Sequence, residues 1–173
     1  MNKLKNLDIK IFADGADLTS IENLNINQNI SGFTTNPSLM KKAGVTDYKA
    51  FCLDVLKLTK NKPVSFEIFS DDLEEMYDQA SEIASWSKNI FVKIPVTNSR
   101  GEKTSSLIKK LLENKIKCNV TAIMTIQQVK EIFEISNSET CVIISIFAGR
   151  IADTGIDPIP TMTEAVNICK TKK

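Results

Sequence analysis

Histidine is absent from the 173 residues, which removes the commonest zinc ligand. The four cysteines, Cys52, Cys118, Cys141 and Cys169, are scattered and form no CxxC pair. A metal site is therefore not expected, and the cysteines are expected to be reduced core thiols of a cytoplasmic protein. Charge of one sign is also lacking. With 22 Lys+Arg against 21 Asp+Glu the formal net charge is +1, so no global field recruits nucleic acid or an anionic membrane, and an anionic ligand must be held by a local site. No stretch approaches the roughly 20 apolar residues of a membrane span. The N-terminal MNKLKNLDIKIFADG does not resemble a signal peptide, because its apolar run is short and carries Asp8 and Lys10. Finally, the first strand candidate is followed by Asp14-Gly15-Ala16-Asp17, where a doubly wound nucleotide binder usually has a glycine-rich phosphate loop.

What is present is an alternation. Short β-rich runs at Ile9–Ala13, Ser31–Thr35, Pro63–Ile68, Asn89–Ile94, Ile116–Thr121 and Cys141–Phe147 are separated by longer helix-patterned stretches. Helix starts are marked by Ser70-Asp71-Asp72 before Leu73–Ser85, and by Thr125 before Ile126–Ile135 with Gln128 at the capping-box offset. Strands separated by helices run parallel and need cover on their faces, which leaves an open doubly wound sheet or a closed barrel. No linker divides the chain, so one domain spanning residues 1–173 is expected.

In a β/α barrel, catalytic groups project from the C-terminal ends of the strands. Each predicted unit supplies a polar residue there: Asp14, then Thr34-Thr35-Asn36, Glu67, Lys93, Asn119 with Thr121, and Ser145 followed by Arg150. Lys93 lies in the apolar run Phe91-Val92-Lys93-Ile94-Pro95-Val96. Burial there disfavours an ammonium and favours the neutral amine that attacks a carbonyl. Asp14 and Glu67 form a candidate carboxylate pair for proton transfer, although Asp14 is also placed to cap the helix after the first strand. Asn119-Val120-Thr121 matches a glycosylation acceptor, but on a predicted strand its side chains suit sugar hydroxyls better. Arg150, just past a strand, can clamp a phosphate bidentately.

Gly32-Phe33-Thr34-Thr35-Asn36-Pro37-Ser38-Leu39, Val92-Lys93-Ile94-Pro95, Asn119-Val120-Thr121 and Gly149-Arg150, taken in order, resemble the transaldolase family. The resemblance runs across nearly the whole chain and implies a (β/α)₈ TIM barrel of the class I aldolase type, cytoplasmic and without metal or cofactor. Such an enzyme moves a dihydroxyacetone unit from a ketose phosphate to an aldose phosphate. Carried over by position, Lys93 is the Schiff-base lysine, Asp14 the base in carbon–carbon cleavage, and Glu67 the glutamate acting through a bound water. Asn36, Asn119 and Ser145 are expected to hold the dihydroxyacetone portion, Thr35 and Thr121 to line the site, and Arg150 to bind phosphate. The related fructose 6-phosphate aldolases resemble the chain too. They carry glutamine and tyrosine where this sequence has Glu67 and Phe147, which favours the transferase and places Phe147 at the substrate.

The same resemblance implies eight units, whereas the sequence supplies about six before Cys169-Lys170-Thr171-Lys172-Lys173. A C-terminally truncated barrel is the resulting expectation, with homo-oligomers expected of the full-length form. An unclosed sheet would expose an apolar edge, so a fragment that needs a complementary piece is the rival reading.

Overall fold

The computed structural model describes residues 9–171; the first eight residues of the N-terminal stretch read above, Asp8 among them, and Lys172 and Lys173 lie outside these. Strand and helix alternate as β1 (Ile11–Asp14), α1 (Leu18–Asn25), β2 (Ile30–Thr34), α2 (Pro37–Lys42), α3 (Tyr48–Thr59), β3 (Val64–Glu67), α4 (Leu73–Ser85), β4 (Ile90–Pro95), α5 (Ser105–Glu113), β5 (Cys118–Ile123), α6 (Ile126–Ile135), β6 (Val142–Ile146), α7 (Ala148–Asp153) and α8 (Ile159–Cys169). This is the α/β order of a TIM barrel carried through six β/α units. Each expected strand is found, its ends moved by one or two residues. Among the described residues no helix is long and apolar enough to cross a membrane.

The chain divides into two compact units. The first runs through Glu67 and takes back Ser85–Ile90, and the second comprises Ile68–Ala84 and Phe91 onward. In the first unit β1 pairs parallel with β2, and β2 with β3. Its core is built on Phe33, Val55, Val64 and Phe66, each at most 1% exposed. Asp17 caps α1 by accepting from the Ser20 amide at 2.8 Å, and Asp47 caps α3 through the Ala50 amide at 2.9 Å. The capping role considered for Asp14 therefore belongs to Asp17.

In the second unit β4 pairs parallel with β5, and β5 with β6. Val92 and Ile94 and their register partners Cys118 and Val120, which share one face of the sheet, are fully buried. Helix α4 lays Met76, Ala80 and Ile83 on the core, a stripe at helical spacing. Asp72 starts this helix by accepting from the Glu74 and Glu75 amides at 2.9 and 3.1 Å. Helix α6 carries the full capping box between Thr125 and Gln128. Strand β6 stands last in the order, and all five of its residues are only half-buried.

Two of the four cysteines lie in the core, as expected, and two do not. Cys52 and Cys118 are buried, and burial pushes each thiol up to about 12. Cys141 and Cys169 are exposed, the first just before β6 and the second at the end of α8.

Candidate active site

Lys93 sits on β4 at 9% exposure, with Val92 and Ile94 fully buried on either side of it in sequence. Its register partner on β5 is Asn119, 7% exposed. Register partners on neighbouring strands point to the same face, so amine and amide share one side of the sheet. Asn119 in turn is level with Ile143 of β6, and Ser145, two residues further, falls on the face that Ile143 occupies. The Ser145 hydroxyl donates to Asn119 Oδ1 at 2.6 Å. An amine, an amide and a hydroxyl from three adjacent strands thus line one face of this unit.

Thr121, 4% exposed, lies opposite Pro95, and its hydroxyl reaches the Ile94 carbonyl only at a long 3.5 Å. Immediately after it the strand bulges. Between the pairs Val120–Ile144 and Ile123–Ile146, β5 carries one residue more than β6, and Ala122 adopts φ 58°. Left-handed backbone in a non-glycine residue costs on the order of 1–2 kcal/mol, and bulges of this kind are common beside functional groups, where they re-aim a side chain. Phe147 is 39% exposed at the N-cap position of α7, and its amide donates to the Ile123 carbonyl at 2.8 Å. Arg150 stands on α7 with its side chain 75% exposed and its guanidinium 3.3 Å from Asp153; a phosphate bound there would compete with that carboxylate.

The first unit holds the other candidates. Asp14 ends β1, is exposed and is level with Thr34. Thr35 is wholly buried and its amide donates to the Ser65 carbonyl at 3.3 Å. Asn36 caps α2, its Oδ1 accepting from the Leu39 amide at 2.9 Å. Glu67 ends β3 half-buried, and its backbone carbonyl accepts from the Tyr48 hydroxyl at 2.7 Å. Burial pushes the Tyr48 phenol well above its usual range, so it stays a donor to that carbonyl.

Two features here escaped the sequence reading. The Tyr48 anchor spans 19 residues and has no local signature. The segment between β4 and α5 is not a plain loop but a hairpin. Thr97 and Lys103 pair antiparallel, the Asn98 amide donates to the Glu102 carbonyl at 3.0 Å, and Gly101 at φ 79° closes the turn. Asn98-Ser99-Arg100-Gly101 carries the matching signal, a turn-starting Asn followed by a Gly at the left-handed position.

The sequence model of the Transaldolase/Fructose-6-phosphate aldolase family matches residues 11–173. A probable transaldolase of Dehalococcoides mccartyi is 33% identical over 162 residues, covering 94% of this chain and 71% of that protein. Another, from Streptococcus agalactiae serotype V, is 35% identical over 149 residues, covering 86% of this chain and 65% of its own. Among solved structures, the dihydrodipicolinate synthase of Rhodopseudomonas palustris aligns with a TM-score of 0.50 at 15% identity, over 82% of this chain and 58% of that one. At that identity the likeness concerns the TIM-barrel fold alone. The chain thus spans about two thirds of the length of these curated relatives.

Proposed function

Because the chain belongs to the transaldolase/fructose-6-phosphate aldolase family, we propose that it is a transferase that moves a dihydroxyacetone unit between sugar phosphates through an imine on Lys93. The observation that supports this reading most is the buried Lys93, level on its strand with Asn119, whose amide is itself held by Ser145.

In the proposed cycle the Lys93 nitrogen adds to the ketose carbonyl, and the carbinolamine loses water to give a protonated imine. That cation draws electrons from the carbon–carbon bond one removed from it, while Asp14 takes the proton of the hydroxyl on the departing carbon. The aldehyde product leaves. The remaining enamine attacks the acceptor aldehyde, and hydrolysis frees the lysine. Glu67 serves the water steps, the Asn119 amide and Ser145 hold the retained hydroxyls, Asn36 and Thr35 support the dihydroxyacetone end, and Thr121 and Phe147 bound the site. Arg150 leaves Asp153 for the substrate phosphate. The imine supplies the electron sink, so this chemistry calls for no cofactor. A cytoplasmic place in pentose phosphate metabolism, a single barrel domain and homo-oligomeric assembly belong to the same reading.

Glu67 and Phe147 favour transfer over simple cleavage, since the aldolase branch resembles this chain with glutamine and tyrosine there. The test is the consumption of fructose 6-phosphate with and without an aldose phosphate acceptor. Acceptor-dependent turnover is expected, and turnover at the same rate without acceptor would assign a lyase instead. A second reading, a barrel fragment that requires a complementary piece, is favoured by the half-buried β6 at the end of the strand order.

A further inference from the structure

The hairpin at residues 96–104 is fastened to the connection that precedes α4. Asn98, 5% exposed, uses its whole amide: Oδ1 accepts from the Arg100 and Glu102 amides at 3.1 and 2.9 Å, and Nδ2 donates to the Asp71 carbonyl at 3.1 Å and to Glu102 Oε2 at 2.5 Å. A buried amide with every donor and acceptor satisfied is a stiff node. Asp71 returns the contact, its carboxylate accepting from the Ser99 amide at 2.7 Å and the Ser99 hydroxyl at 2.5 Å. The neighbouring Asp72 starts α4 by itself, so Asp71 is not needed for the helix.

The base of the hairpin is also fixed. Thr104 occupies the N-cap position of α5 yet gives its hydroxyl to the Pro95 carbonyl at 2.6 Å, and its amide donates to the Val96 carbonyl at 3.2 Å. At the other end of the connection, the Ile68 amide donates to the carbonyl of Lys93 itself at 3.3 Å. A closed circuit results: from Lys93 along β4 to Asn98, across to Asp71, back along the chain to Ile68, and by hydrogen bond to Lys93 again.

We propose that the Asp71–Asn98–Ser99 fastening is a positioning device that holds the end of β4 so that the Lys93 amine meets a carbonyl in one orientation. Asp71 is a positioning residue: it acts through the hairpin and is assigned no contact with substrate. The inference rests on the reading of Lys93 as the imine-forming residue, and its test separates the two.

Wild type, Asp71→Ala and Asp71→Asn are incubated with fructose 6-phosphate and borohydride, the Lys93 adduct is followed by peptide mass spectrometry, and amide exchange at Lys93–Val96 is read on the same samples. Asp71→Ala is expected to slow trapping at saturating sugar by about tenfold, since small misplacements of a reacting group are costly. The half-saturating concentration should stay within about twofold. Asp71→Asn, which can still accept from Ser99, should restore most of the rate. Exchange at Lys93–Val96 should rise in Asp71→Ala alone. Unchanged trapping and exchange would overturn the inference, and so would a loss confined to the half-saturating concentration. If wild type forms no adduct at Lys93, the imine reading fails and exchange alone decides the positioning role. Should Asp71→Ala not fold, Ser99→Ala, which removes one bond from an exposed residue, replaces it.

Discussion

At position 32 an added Cβ would lie 2.4 Å from Phe12 Cε1 and 2.6 Å from the Pro63 carbonyl oxygen. The ring can give way; the backbone oxygen, next to the β2–β3 pairing, cannot do so freely. Gly32→Ala is therefore expected to destabilise the protein by about 1–3 kcal/mol, measured as a lowered urea midpoint; an unchanged midpoint would show that the strands can part there. Tyr48→Phe removes the donor to the Glu67 carbonyl and should cost about 1 kcal/mol in the same assay, with no loss contradicting the anchor. Lys93 was legible because a charged residue in an apolar strand needs a reason. Asn119 and Ser145 were legible from position, as polar residues at strand ends. The bond between them was not, since it depends on register between β5 and β6. Tyr48 was invisible because nothing in the order of residues ties a helix start to a strand end.

Among the elements, α4 and α6 could be bounded from the sequence because Asp72, and Thr125 with Gln128, mark their first turns. The hairpin at 96–104 was missed because its polar run looks like any βα connection, although Asn98 and Gly101 announce the turn. Its carboxylates give it a pH dependence. Asp71 is held below its usual 3.8 chiefly by the Ser99 hydroxyl and then the Ser99 amide, and Glu102 is held below its usual range chiefly by the Asn98 amide and then by Arg100. With folded-state values depressed, these contacts contribute fully above the unfolded value and are lost as pH falls through the folded one. Exchange of the Ser99 amide, relative to that of buried Val120, should therefore rise once the pH is taken below about 4; a constant ratio down to full protonation would contradict the fastening. At the end of α5, Lys115 takes φ 61° while its amide and that of Ile116 donate to the Leu112 and Leu111 carbonyls. Glycine suits that left-handed position, so Lys115→Gly should raise stability by up to about 1 kcal/mol in thermal melts, and a lowered Tm would contradict the cap. The bulge at Ala122 had no signal at all, since alanine is an ordinary strand or helix residue and its conformation is imposed by the pairing on either side.

For the whole molecule, sixfold β/α alternation was readable because parallel strands covered on both faces leave apolar runs, and helices between them leave a different period. The ordered strand-end motifs then led to the family that the comparisons identify. The division into two compact units was not readable, because no change of composition marks it between Glu67 and Ile68 or near Phe91. The proposed chemistry depends on one amine, that of Lys93. Borohydride reduction of the protein with fructose 6-phosphate, followed by peptide mass mapping, reads it directly. A sugar-derived adduct confined to the Lys93 peptide, and absent from Lys93→Met, is the predicted result; an adduct on another lysine, or none on a folded sample, would contradict it.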